Sequence, residues 1–181
     1  MRPAPPDRDD ASHKPETHAT HAGANNALLT VEVGGQECGI PVDEVREIVP
    51  LCALSRPAGM PPILAGFLIL DNEPIPVLRA ARMWGLQEAE RGLYTPLVVI
   101  RGRGRVLALL VDRVLGVTNA AEAELADASD IAAPLPARRV QDRVMGVLDP
   151  ARLLLALERD AIERLRENEE RRLGELQEAA A

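Results

Sequence analysis

The sequence predicts a mainly β protein with a long charged helix at its C-terminus, and three observations carry that prediction. Short apolar stretches recur between Gly and Pro turns from Leu28 to Leu148, the pattern of barrels or a sandwich and not of alternating βαβ units. From Pro150 the pattern changes, with neither another proline nor a glycine before Gly174. Apolar residues make up 46% of the 181, enough for one core in a chain of single-domain length.

Residues 1–26 mix Pro, Ala, Asp, His and Thr without periodicity, which predicts a disordered tail. Leu29, Val31 and Val33 then alternate with Thr30 and Glu32 and run into Gly34-Gly35. That is a half-buried strand entering a hairpin, with a return strand over 37–40. Val42, Val45 and Val49 have helix-like spacing and predict a short helical turn. After Pro57, Pro61 and Pro62, the run Ile63–Leu70 is apolar enough for a strand buried on both faces. Gly66 within it reads as a backbone constraint.

Asp71-Asn72 is a turn signal, and Ile75, Val77 and Leu78 make the next strand. Pro74 and Pro76 assign that strand to an edge or irregular position. Ala80 to Trp84 reads as a short helix stopped by Gly85. Leu97–Ile100 and Val106–Val111 flank the glycine-containing segment 101–105 as a hairpin. Strand is expected to continue through 112–117, 120–139 to be loop, and 143–148 to be the last strand.

Asp149 and Pro150 have the chemistry of a helix N-cap and first turn. The pairs Arg159 with Glu163, Asp160 with Arg164 and Glu167 with Arg171 support a helix that over 150–178 would span roughly 43 Å. Its stripe of Leu154, Leu157, Ala161, Leu165, Leu173 and Leu176 is interrupted by Glu169 and Arg172. A groove-bound helix, a weak dimer contact and a helix projecting into solvent all stay open.

The net charge of −7 and pI near 5.1 argue against nucleic acid, whose phosphates need a positive footprint. No apolar run approaches the length of a membrane span, so no membrane insertion is expected. All three histidines, His13, His18 and His21, lie in the tail. A Ser-His or Cys-His enzyme is thereby excluded, and no catalytic residue, metal or cofactor is assigned. Gly102 and Gly104 lack the third glycine and following helix of a nucleotide loop, and Arg101, Arg103 and Arg105 read as a solvated hairpin tip. Cys38 and Cys52 are expected to be free thiols in a reducing, cytoplasmic compartment.

The order of pieces resembles the CheW-like coupling domains of bacterial chemosensory systems. The matching stretches are 34–42 with Val45-Arg46-Glu47-Ile48, Pro61 to Gly66, Ile75-Pro76-Val77, Leu110 to Val114, Asp142 to Met145 and Asp149 to Leu154. The resemblance implies two small five-stranded SH3-like barrels sharing a hydrophobic seam, with no enzymatic activity. It implies as partners the regulatory domain of a CheA-type histidine kinase and the cytoplasmic tip of a chemoreceptor. It also implies partner-binding roles for Val45, Glu47 and the position of Asp71, and for Val111, Asp112 and Val114; for the three valines, plain core packing stays open as the alternative. The expected division is a tail at 1–26, a CheW-like domain at 27–154 and a helical extension at 155–181.

One departure bears on docking. Where the family usually carries Asn-Leu-Arg-Gly, this chain has Ile69-Leu70-Asp71-Asn72, and Arg79 stands where the family has an aspartate. The family arginine is expected to pair with the residue matching Glu47, and Asp71 would repel it. Arg46 or Arg79 are the candidates to restore a partner, Asp71 and Arg79 by an exchange of charge. The receptor-side contact is therefore expected to be rewired or lost.

Overall fold

The computed structural model describes residues 27–92, 94–102, 105–120, 124–125, 135–140, 142–150, 153 and 156–180; the expected tail at 1–26 lies outside them. The chain forms two SH3-like barrels and a C-terminal helix. The first sheet contains β1 (Ala27–Val33), β2 (Gln36–Pro41), β8 (Arg113–Asn119), β9 (Glu124–Leu125), β10 (Ala137–Val140) and β11 (Arg143–Val147), in the order β8-β1-β2-β11-β10-β9. The second contains β3 (Val45–Pro50), β4 (Leu64–Leu70), β5 (Glu73–Arg79), β6 (Pro96–Gly102) and β7 (Arg105–Leu110), in the order β3-β6-β7-β5-β4. The five-stranded expectation holds, with β9 added to the first barrel as a two-residue strand.

Period-two alternation divides β6 and β7 between two cores. On β6, Val98 and Ile100 face the seam between the barrels while Leu97 and Val99 fill the second barrel. On β7, Leu107 and Leu109 face the seam and Ala108 and Leu110 the interior. Leu29, Val31 and Val33 meet them from β1. The continuous apolar runs follow from this arrangement, because a strand packed on both sides has no polar face.

Gly66 is required where β4 passes the loop before it. Its φ is 148°, and a Cβ there would lie 2.6 Å from the Ser55 carbonyl oxygen. That approach lets Ser55 and Phe67 exchange both backbone hydrogen bonds, at 2.9 and 2.8 Å.

Several sequence expectations are corrected. The helix-like spacing of Val42, Val45 and Val49 yields only a short turn, Val42–Glu44, before pairing with β6 draws the chain into β3. β5 is not an edge strand, since it lies between β4 and β7. Its prolines are tolerated because β7 pairs only from Val77 onward. On the other side the two-residue turn bonds Leu70 to Glu73, which by alternation leaves Pro74 and Pro76 at non-hydrogen-bonded sites.

Strand does not run on through 112. At Val111-Asp112 the chain leaves the second barrel for the first, a change of sheet that neither glycine nor proline marks in the sequence. The supposed loop at 120–139 includes β9 and β10, and β10 pairs with β11 from Ala137↔Gly146 to Val140↔Arg143. Two arginines in its four residues leave it no apolar alternation to read.

The C-terminal helix α2 covers Ala156–Ala180, starting later than Pro150. Before it, Leu148 and Leu153 still belong to the barrels, for Leu148 donates its N–H to Gly39 O at 2.8 Å and Leu153 packs on the seam. Beyond the short helix α1 (Ala80–Met83), α2 packs beside β5 and inserts Ile162, 3% exposed, into the seam with Leu165 against it. It docks on the molecule along these residues and does not simply project into solvent.

Candidate partner-binding surface

Three of the sequence-derived site residues lie in or beside β3 and the β4–β5 turn. A bulge between Val45 and Glu47 makes Arg46 the extra residue of β3. Asp71 and Asn72 have φ of 49° and 66°, the turn conformation that Asp and Asn accept better than most residues. Arg46 Nε lies 3.3 Å from Glu47 Oε1, and Arg46 Nη2 lies 3.6 Å from Asp71 Oδ2. The guanidinium thus stands between two carboxylates that would otherwise repel. Such exposed pairs contribute about 0–1 kcal/mol each, so their effect is on position and charge more than on stability.

The exchange between Asp71 and Arg79 is not made. Arg79 Nη1 instead bonds Glu88 at 3.1 Å, and Arg82 and Arg91 reach the same carboxylate at 2.8 and 3.3 Å. Burial pushes the Glu88 carboxyl up, but hydrogen bonds from Arg82 and Arg79 outweigh it and hold the group below its ordinary range. This cluster ties the segment after α1 back to β5.

Val45 is half-buried and packs against the seam. Val111 is 1% exposed within the seam, and Val114, half-buried, packs beside it and pairs with Val31. Asp112 holds the crossover. Its carboxylate accepts the Gly34 N–H at 2.6 Å, and its own N–H donates to Glu32 O at 2.9 Å. The six residues therefore fall into two groups: Glu47 and Asp71 joined through Arg46 with Val45 beside them, and Val111, Asp112 and Val114 at the crossover between barrels. The second group shapes the junction, with Val111 inside it.

Sequence reasoning missed two features. Ile48 and Ile69 are exposed, at 44% and 36%, although Ile69 lies in the run 63–70 that reads as buried on both faces. Glu169, read as an interruption of the helix stripe, is 3% exposed. It accepts the Ser55 hydroxyl at 2.6 Å and Arg172 Nε at 2.8 Å. One turn and a half earlier, Glu163 meets Arg105 at 2.8 Å, so one member of the supposed solvated hairpin tip contacts α2. The hydrogen bond from Arg166 holds the Glu163 carboxyl below its ordinary range despite burial. The expected pairing of Glu167 with Arg171 gives way to Arg171 with Asn168 at 3.3 Å.

Cys38 is buried and Cys52 exposed, both as free thiols. Burial pushes the Cys38 thiol up to about 11. Among the described residues no cluster of His, Cys, Asp or Glu could hold a metal ion, and no helix is long and apolar enough to cross a membrane.

Fold and surface together define a two-barrel β scaffold whose exposed features are ion pairs and small apolar patches. Comparison supplies its family: residues 27–158 match the CheW-like domain, and the chain belongs to that family. Among solved structures it is similar to the scaffolding protein TtCheW from Thermoanaerobacter tengcongensis, with TM-score 0.66 and 16% identity over 78% of this chain and 95% of that one. At that identity the likeness is one of fold. No curated protein matches the chain at a significant level.

Proposed function

We propose that this protein is a non-catalytic signalling adaptor that couples chemoreceptors to a CheA-type histidine kinase in a bacterial chemosensory, two-component pathway. It acts in the cytoplasm and reaches the membrane only through receptor arrays. The observation that carries the reading is the CheW-like match over residues 27–158 on a two-barrel fold with an apolar seam. Val45, Glu47 and Asp71 form the receptor-side surface in this reading, and the junction of Val111, Asp112 and Val114 holds the barrels in the orientation that kinase binding needs. Residues 27–154 are the coupling domain and 155–181 an extension that braces it.

Calorimetric titration of the full chain with a purified CheA-type regulatory domain tests the proposal. Binding in about the micromolar range, near −8 kcal/mol, is the expected result. No heat at saturating concentrations would sink the kinase-coupling role. Deleting residues 155–181 is a poor test, because it strips Ile162 from the seam.

A second reading is favoured by Asp71 at the position of the family arginine: an interaction protein that binds a kinase or another client outside an ordinary receptor array. Pull-down with a receptor tip separates the two. Kinase binding without receptor binding selects the second reading.

A further inference from the structure

The seam between the barrels leaves a cavity of about 340 Å³. Met83 and Trp84, at the end of α1, line it together with Leu135, Leu148, Asp149 and Leu153. Trp84, Leu135 and Leu148 belong to the seam core, and Met83 and Leu153 pack against it. The walls therefore come from both barrels and are apolar save for one carboxylate. An apolar cavity of about 150 Å³ already takes a benzene ring, and a wall of methionine and tryptophan suits an aromatic guest.

The chain itself displays such a guest. Of its single Phe, Trp and Tyr, Phe67 is fully buried, Trp84 is in the cavity wall and Tyr94 is 87% exposed, the most exposed large apolar side chain among the described residues. The backbone that carries Tyr94 is held in a closed turn. Thr95 Oγ1 accepts the Gly92 N–H and donates to Gly92 O, both at 2.9 Å, and the Thr95 N–H donates to the same oxygen at 3.3 Å. A side chain presented from a fixed backbone has less freedom to lose on docking, and tyrosine is one of the residues that dominate binding energy at interfaces. At 87% exposed it does not enter the cavity of its own chain.

We infer that Tyr94 of one copy inserts into this cavity of a second copy, its ring against Met83 and Trp84 and its hydroxyl donating to the Asp149 carboxylate. A carboxylate accepts from more than one donor, so the contact adds to whatever else Asp149 holds. Projection and cavity are different surfaces, so the contact is heterologous and every copy offers one of each. The inference goes beyond the adaptor reading and does not depend on it. The charge of −7 on each copy opposes the contact, but at physiological salt screening shortens that repulsion to about 8 Å. An apolar contact between like-charged copies therefore tightens as salt rises.

Sedimentation velocity of the full chain over a range of protein and salt concentrations tests the contact. Tyr94→Ser removes the guest from a solvent-exposed position, and Leu153→Phe fills the cavity while leaving Tyr94 in place. Association is expected in the unaltered chain, stronger at high salt, and weaker by about tenfold or more in either variant, as for the loss of an interface hot spot. Mixing the two variants brings an intact Tyr94 to an intact cavity, so the mixture is expected to form a one-to-one pair that neither variant forms alone. The phenol p-cresol, which is the tyrosine side-chain group, should compete with association and change the fluorescence of Trp84, the only tryptophan. Tyr94→Ser and p-cresol decide the matter even where Leu153→Phe disturbs the seam. A monomer at every concentration, association unchanged in Tyr94→Ser, or association indifferent to p-cresol would overturn the inference. If p-cresol changes Trp84 fluorescence while the chain stays monomeric, the cavity takes an aromatic group from a different protein, and the second copy is not its occupant.

Discussion

The two barrels fill their interiors unequally. In the second, Ala65, Leu68, Ile75, Val77, Leu97, Val99, Ala108 and Leu110 form a dense aliphatic core. In the first, among the described residues, the interior cluster is Leu28, Val140, Met145 and Val147, and Thr30 spends a buried position on a 3.1 Å hydrogen bond to Thr118. β1 and β2 turn their larger apolar set outward, where Leu29, Val31, Val33, Cys38 and Ile40 pack on the second barrel. Among the described residues, the first barrel thus turns more of its apolar side chains to the seam than to its own inside. Two barrels joined this way are expected to unfold as one cooperative unit, since opening the seam exposes apolar faces of both.

The largest expected effect lies at the seam. Phe67 is fully buried there, and Phe67→Ala should cost about 3–5 kcal/mol, while Met145→Ala inside the first barrel should cost less, about 2–3 kcal/mol. Differential scanning calorimetry is expected to show a single transition in both variants. Two transitions in Phe67→Ala would break the comparison, because each barrel would then melt by itself.

An intermediate effect is expected at the brace. Glu169→Ala leaves Ser55 and Arg172 without their shared acceptor and should cost about 1–3 kcal/mol in urea unfolding. Ser55→Ala should cost less, about 1 kcal/mol. An unchanged urea midpoint in both would show that the contact of Ser55, Glu169 and Arg172 contributes nothing to holding α2 in place.

The smallest perturbation reads the seam without altering it. Cys52 is exposed and should react with a thiol reagent at the rate of an unfolded cysteine. Cys38 faces the seam with its thiol raised to about 11 and should label only when the molecule opens. In denaturant both should react alike. Prompt labelling of Cys38 in native protein would mean that the seam opens locally, ahead of global unfolding.

Much of this was legible in the chain. Gly34-Gly35, Asp71-Asn72 and Gly85 marked real turns because positive φ is chemically restricted. The apolar run at 63–70 announced a strand covered on both sides as far as Leu68, beyond which Ile69 is exposed. The candidate site was legible in part: Glu47 and Asp71 were singled out by the resemblance to the CheW-like family, and Arg46 was one of two possible bridges. Which arginine served was unreadable, since Arg46 reaches Asp71 only through closure of a sheet whose edges are 25 residues apart. The exposure of Ile48 and Ile69 and the burial of Glu169 were hidden for the same reason, as sequence pattern ranks residues by type and closure decides which face solvent.

The sequence by itself determined the β class, the late charged helix, the turns and the residues able to fill a core, because backbone preference and period-two alternation act within a few positions. Only the tertiary structure decided which barrel each strand joins, that the chain crosses between barrels at Asp112, that α2 docks through Ile162 and Glu169, and that Asp71 is met by Arg46. Those outcomes depend on register between distant strands, and no local interaction encodes that register.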